Sequence, residues 1–579
     1  MTGRAPGVEN QPLLAWPLAA AILLRRRAGA ELQLTPLYRW MLRGPPPTGV
    51  AVRPRDYRPA NVEIGKQLLL GRLALGGEVM EIGQRGDPWD TASPSRRFAV
   101  ALHRFDWLSA LLALDPTQYP EAEEEALRLT LDFLTLFSSV SAFSWGAEVI
   151  ERRVFHLACA LPRVLPLASE VEQRRLMESL ATQARHLLRI DPGALRAAER
   201  YACVMLAGAV LAGKAGQSLI AKAGPKLTRA LKSAVLPDGG LHSRSPEQAM
   251  ELLFDLLTLD DALHQRGVPG PAELNRAIDR LSGAVRFFTL SDGRLGAFQG
   301  GGNSTSDRVK AAVAHEDGSA RVFGYAPHSG YHRLSSRQIN TMIDAAPAAT
   351  GPWSLAACAQ PVAFEAVCGG DRLIVNTGWT PDTGATQALR LGDGGSTVSL
   401  GDASPGEPLG GLLAQGLGPR LVGGPTRIEA RRNENEQGVW LELCHEGWVG
   451  RFGLTHDRRL YLDLKADELR GEDSFTPVDD RAERRTLTPY AIRFHLAPEV
   501  KVSLARDRRS VLLRGPSNQG WWFRNDAEEV ALEPSVHYEN GMGRRTLQIV
   551  LRGRVALTGG ARIRWKLAPV DPVEHAASA

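Results

Sequence analysis

The chain has 579 residues, 44% of them hydrophobic and 23% charged, which excludes both a disordered chain and a membrane-embedded one. At this length one core cannot serve the whole, and roughly two to four globular domains are expected. With 69 Lys+Arg against 64 Asp+Glu the net charge is +5 and the pI about 9.0, a mild basic excess that favours an acidic polymer without choosing between nucleic acid and polysaccharide. The five cysteines are an odd number with no CxxC pair, so they are expected to be free thiols and not zinc or dithiol centres.

The first apolar stretch, LLAWPLAAAILL at 13–24, is followed by Arg25, Arg26 and Arg27. That charge order is the reverse of an export signal, and the stretch is too short to span a bilayer. The expectation is a helix packed on the body, with a position at a membrane surface as the alternative, no integral span, and the cytoplasm as the default location. Residues 1–95 read as an extension in which DYRPANVEIGKQLLLGRLALGG contributes a short β-hairpin.

From 96 to 300 the apolar residues recur every three and four positions. EAEEEALRLTLDFLTLFSSV, WGAEVIERRVFHLACALPRVL, EQRRLMESLATQARHLLRI, PGALRAAERYACVMLAGAVLAG and PAELNRAIDRLSGAVRFFTL each read as an amphipathic helix. Short Gly/Pro connections make neighbours antiparallel, giving helical hairpins in a solenoid or a closed (α/α) toroid. GAFQGGGNSTSDR at 296–308 reads as a linker. From 310 to 579 the period becomes two, in segments such as DRLIVNTG, GVWLELCHEGW and RTLQIVLRG, and a large antiparallel β-sandwich is expected. The fold class is therefore α+β and multidomain.

Three clusters carry candidate chemistry. In DGGLHSRSPEQ, residues 238–248, Ser245 to Gln248 form a capping box with Pro246 at the first helical position, which needs no functional reading. His242, Ser243 and Arg244 remain, in a glycine-rich loop at a helix N-terminus where an arginine fork suits a carboxylate or sulfate; the bland alternative is an arginine paired with a neighbouring acid. In GYAPHSGYHRL, residues 324–334, strand alternation puts Tyr331 and Arg333 on one face and His332 on the other, with Tyr325 and His328 close in sequence. In the third cluster, His445, Glu446 and His456 invite a metal, but alternation separates His445 from Glu446 and no third ligand has diagnostic spacing. No metal, cofactor motif or nucleotide loop is predicted, and no basic run interleaved with aromatics points to nucleic acid.

The order of helices and strands, together with PDGGLHSRSPEQ, SGYHRL, PWSLAACAQPVAFEAVCGGDRLIVNTGW and GLTHDRRLYLDLKADELRGED, resembles the heparinase II/III family of polysaccharide lyases. The resemblance implies a toroid joined to a sandwich, an acidic glycan in the groove between them, and β-elimination at a uronate. It also implies an envelope or periplasmic setting. It further implies an Asn-His pair, a tyrosine and sandwich histidines, and here this sequence departs. Those places read Leu195 and Arg196, then Gln248 and Ala249, then Cys358 to Pro361, then Gly394 to Thr397. If the chain cleaves, the replacements are His242 as base, Arg244 as carboxylate clamp and Tyr331 as proton donor, with Tyr325, His332 and Arg333 contacting substrate. The competing reading is a degenerate member that binds glycan or serves in the envelope without cleaving.

Overall fold

The computed structural model describes residues 12–191, 193–315, 323–381, 387–478, 487–539 and 542–570. They fall into two compact units. Ala21–Val235 with Met250–Ser282 makes a helical unit; Leu236–Ala249 and the described residues from Gly283 onward, with residues 12–20, make the other, which holds both large sheets.

In the helical unit the five periodic segments become helices Ala122–Phe137, Ala147–Val164, Glu170–Leu187, Ala197–Val210 and, continuing beyond the unit, Ala272–Phe288. The start of Glu170–Leu187 follows from local chemistry. Ser169 accepts from the Glu172 amide while Glu172 returns a carboxylate to the Ser169 amide, so two helix-end donors are satisfied at once. The apolar stripes of these helices are buried, Val149, Ile150, Phe155 and Leu180 among them with no exposed surface. A hairpin forms later than the segment implied: its first strand β1 (Arg72–Leu75) and its turn end the segment, and its second strand β2 (Glu78–Glu81) lies beyond it. The residues before it, Val62–Leu69, are helical, because the Asn61 side chain caps the Glu63 amide and starts a turn. The stretch expected as a packed helix runs longer, Pro12–Leu34. Of its apolar residues Ala15 and Ala19 are buried, whereas Leu14, Trp16, Leu18 and Leu24 are exposed. Among the described residues no helix is long and apolar enough to cross a membrane.

The second unit is antiparallel throughout. In chain order its strands are β3 (Tyr325–Ala326), β4 (Tyr331–Ser335), β5 (Ile339–Asp344), β6 (Phe364–Cys368), β7 (Asp371–Val375) and β8 (Val398–Leu400), then the small ribbon β9 (Gly406–Pro408) and β10 (Leu421–Gly423). There follow β11 (Ile428–Glu434), β12 (Gly438–His445), β13 (Leu454–Asp463), β14 (Glu468–Pro477), β15 (Leu487–Leu496), β16 (Lys501–Leu504), β17 (Ser510–Arg514), β18 (Gly520–Asn525), β19 (Glu529–Glu539), β20 (Met542–Ala556) and β21 (Ala561–Pro569). One sheet has the order β19-β20-β15-β7-β6-β5-β4-β3, with β8 paired to β15; the other has β11-β12-β13-β14-β21-β18-β17-β16.

The two sheets share one core. At its centre Phe364 and Trp565 stack at 5.5 Å and 7°, flanked by Phe494 and Phe523. Trp565 can lie there because its cross-strand partner is Gly471; a β-carbon at 471 would sit 2.1 Å from the indole. In β13 burial alternates residue by residue, as a strand with one wet face requires. By contrast β5, β6 and β7 are buried along their whole length, so both of their faces are covered.

Candidate functional site

The loop before helix Pro246–Arg266 is built by a tight turn. Gly239 adopts φ +83° and donates to the Leu236 carbonyl, and the Asp238 carboxylate then reaches out to the amides of His328 and Ser329 and to the Ser329 hydroxyl. Gly240 lies so close to this second loop that a β-carbon would meet that of Ser329 at 2.4 Å. The clusters at 238–248 and 324–334 are thus brought together, as two loops clasped by one aspartate.

Arg244 sits at the clasp with φ +66°, a left-handed conformation that is costly for a side-chain-bearing residue. Its guanidinium explains how the cost is met. Nε donates to Ser329 O at 2.8 Å, Nη1 to Ala346 O and Pro347 O at 2.8 and 2.9 Å, and Nη2 to Gly330 O at 3.3 Å and to the Asp344 carboxylate. A guanidinium has five N–H groups, and all five are engaged. The residue is 2% exposed, and its charge faces the Tyr331 ring at 4.9 Å. Tyr331 has no exposed surface; its hydroxyl donates to the Arg244 carbonyl at 2.7 Å, and burial pushes the phenol well above its ordinary pKa. Asp344 completes the knot by accepting from Gln299 at 2.7 Å, and Gln299 in turn accepts from the Cys358 amide. Gln299 to Ser304, read from sequence as linker, are mainly buried.

The other predicted residues lie around this knot. His242 is half-buried and stacks on Trp353 at 5.5 Å and 29°. Tyr325 is 51% exposed and stacks on His332, its partner across the strand pair, at 5.9 Å. Burial, with Arg432 nearby, pushes His332 down to about 4, so it is a neutral imidazole at pH 7. Arg333 reaches the last carbonyl groups of helix Ala272–Phe288, donating to Phe287 O at 3.2 Å, where a cation suits the helix end. The structure therefore brings Arg244 and Tyr331 into contact, stacks Tyr325 with His332, and gives His242 and Arg333 partners of their own.

The places where the resemblance led one to look for acid and base hold backbone ties. Gln248 lends only its amide, donating to the Ser245 hydroxyl at the helix start. Cys358 is buried and its thiol pushed up to about 11. Gln360 donates to Leu389 O and Leu391 O, the Ser396 hydroxyl to Val375 O, and the Thr397 hydroxyl to Pro361 O. In the helical unit Arg196 pairs with Glu151 at 2.5 Å and Glu199 at 3.1 Å, and burial pushes Glu199 up to about 7.

His445 and His456 face each other across β12 and β13 inside the sandwich. The Gly447 amide donates to His445 Nδ1, so His445 donates through Nε2 to His456 Nδ1, and His456 through Nε2 to Asp473. Arg458 closes on Asp473 at 2.7 and 3.2 Å and the Trp565 indole donates to the same carboxylate, whose pKa is held well below the ordinary range. Glu446 turns away and holds the Thr426 amide and hydroxyl. Among the described residues no group of three or more His, Cys, Asp or Glu side chains is placed to hold a metal.

Sequence reading passed over one feature, the outward face of the eight-stranded sheet. There Trp440, Tyr461, Arg459, Arg470, Arg524, Arg564 and Lys566 line a concavity of about 720 Å3.

Comparison with known proteins places these observations. The heparinase II/III-like C-terminal family pattern matches residues 319–566. FtsZ-localized protein C of Caulobacter vibrioides is 51% identical over 531 residues, 91% of each chain. Among solved structures, heparinase III aligns over 98% of this chain and 93% of its own with a TM-score of 0.66 at 13% identity. A heparan sulfate lyase HepC mutant from Pedobacter heparinus aligns over 90% and 86% with 0.56, also at 13%. At such identities the likeness to the two lyases is one of fold.

Proposed function

The chain belongs to the heparinase II/III-like family, and we propose that it has kept the scaffold, lost the elimination chemistry, and localises with FtsZ, the localisation that the name of its 51% identical relative gives for that protein. The observation that carries this reading is the state of Arg244 and Tyr331. Elimination at a uronate needs donors free to neutralise a carboxylate, and a base and an acid that exchange protons with the sugar. Arg244 has no N–H left to offer, and the Tyr331 hydroxyl already donates to the Arg244 carbonyl in a site closed to solvent. On this reading the two residues are the clasp that holds the 236–249 loop to β4 and β5, and His242 is a ring packed on Trp353. An acidic glycan, if the scaffold holds one, is bound and not cut.

The test is incubation of the purified chain with heparan sulfate, chondroitin sulfate, hyaluronan and alginate, read by the ultraviolet absorbance of an unsaturated uronate. No gain is expected. A sustained gain that disappears in Tyr331→Phe would restore the lyase reading with Tyr331 as its acid. For the second half of the proposal, a fluorescent fusion should coincide with FtsZ in dividing cells; uniform fluorescence would reject it.

A further inference from the structure

The outer face of the eight-stranded sheet has a composition that packing does not require. Cross-strand register aligns Trp440 of β12 with Tyr461 of β13, Arg470 of β14, Lys566 of β21 and Arg524 of β18. Strands lie about 4.8 Å apart, so this row crosses five of them in about 19 Å, beginning in aromatic rings and ending in three cations. Trp440 is 45% exposed and lies over Tyr461 with ring centres 4.3 Å apart and planes tilted by 31°, and Arg470 extends over the phenol at 5.6 Å. The neighbouring row holds Arg459, Glu472 and Arg564. Around the concavity stand five cations (Arg459, Arg470, Arg524, Arg564, Lys566) with Glu472 and Asp526, and Glu468 is shared by Arg470 at 2.9 Å and Lys566 at 3.0 Å, with Asp463 3.5 Å from Arg470. Glu472 is shared by Arg459 at 3.2 Å, Arg564 at 3.1 Å and Arg562 at 3.7 Å, and Arg459 also lies 3.8 Å from Glu442; these are pairs at the surface, where solvent or a ligand can replace a partner.

We propose that this face is a binding site for an anionic saccharide, whose ring lies on the exposed Trp440 indole and whose carboxylates or sulfates meet the Arg470–Lys566–Arg524 row. The apolar C–H face of a sugar ring matches an exposed indole, and planar guanidinium groups pair with carboxylate or sulfate through two hydrogen bonds. Glu472, Asn525 and Asp526 supply acceptors for hydroxyls. An acidic peptide suits the site less well. It has few hydroxyls to offer, and β12, β13, β14, β21 and β18 are each paired on both sides, leaving no strand edge for a peptide to extend. The site lies on the opposite side of the eight-stranded sheet from the core it shares with the other sheet, and it stands whether or not the chain cleaves anything.

The experiment is calorimetric titration of the full chain with a size-defined heparin oligosaccharide, beside a neutral cello-oligosaccharide, poly-glutamate and a single-stranded oligonucleotide. The heparin oligosaccharide should bind, more weakly as salt rises. Trp440→Ala should weaken it about tenfold, the loss of one central aromatic anchor, and Arg470→Gln with Lys566→Gln by a similar factor. These side chains are on the surface, so an unchanged thermal midpoint shows that each variant is folded. Tighter binding of poly-glutamate or the oligonucleotide would overturn the proposal, as would no binding of the heparin oligosaccharide, or binding that Trp440→Ala leaves intact. Binding here with no absorbance gain leaves the non-cleaving reading standing; an absorbance gain that Trp440→Ala does not touch would reject that reading and not this site.

Discussion

Arg458 and Arg459 are neighbours in β13, and the pleat sends them to opposite surroundings. Arg458 points into the sandwich with no exposed surface, doubly bonded to Asp473 and donating also to Val362 O and Ser396 O across to the other sheet. Arg459 points out, 51% exposed, within 3.2 Å of Glu472 and 3.8 Å of Glu442. The residue type is the same and so is the kind of partner. What differs is water: inside, a broken pair leaves a carboxylate that nothing can solvate, whereas outside, solvent replaces a lost partner. The same contrast separates Arg244, enclosed with all of its donors consumed, from Arg470, whose pairs with Glu468 and Asp463 lie at the surface, where a ligand can replace them. In this chain buried arginines hold the fold and exposed ones are where recognition can reside.

The broadest challenge to that contrast is acid. Burial pushes His103, His186, His332, His495 and His537 each down to about 4, and His445 well below its usual value. In the unfolded chain these imidazoles titrate near 6.5. Between pH 6.5 and 4 the unfolded state therefore binds more protons than the folded one, and the stability these groups contribute, full above pH 6.5, is lost as pH falls. Glu199, raised to about 7, acts in the opposite sense over part of the same range, as do Asp260 and Glu365, which burial also raises, three carboxyls against six imidazoles. The thermal midpoint should drop steeply from pH 7 to 4.5, a range in which exposed arginines do not titrate. A flat or rising midpoint would mean that the buried histidines are not held neutral.

Next in size is Arg458→Met. It leaves the Asp473 carboxylate in the core with only His456 and the Trp565 indole, and should cost about 3–5 kcal/mol, read as a fall in the urea midpoint at unchanged slope. Loss of less than about 1 kcal/mol would show that water reaches this carboxylate and that the interior is not what gives Arg458 its weight.

How far the sequence carries follows from which interactions are local. The helices at 122–137, 147–164 and 272–288 were legible because a 3.6-residue period needs no distant partner, and so was Ser245 as a helix cap. The alternation that sends Tyr331 to Arg244 and His332 to Tyr325 was equally local. What could not be read was the satisfaction of Arg244. A fork at a helix N-terminus, beside glycines, has the composition of an anion site, but its acceptors come from Ser329, Gly330, Asp344, Ala346 and Pro347, about a hundred positions away on loops and strands whose register no local pattern specifies. For the same reason the row from Trp440 to Arg524 was invisible: its members are scattered over more than eighty residues and meet only when five strands align. The glycines at 300–302 misled in the other direction, since they admit close packing against Ala356 and Glu247 where composition suggested a linker.

The smallest expected effect sharpens the contrast most. Arg459→Ala removes a charge one residue from Arg458 and should change stability by only about 0–1 kcal/mol, because water takes its place beside Glu472 and Glu442. The same substitution frees Glu472 to face the concavity with one cation fewer, so it should weaken the heparin oligosaccharide and make its binding less dependent on salt. A side chain that matters to the fold moves the urea midpoint; one that matters to a ligand moves affinity and its salt dependence while the midpoint stays. If Arg459→Ala instead lowered the midpoint as far as Arg458→Met and left affinity alone, the outward arginines would be structural after all, and the division of labour between the two faces of β13 would fail.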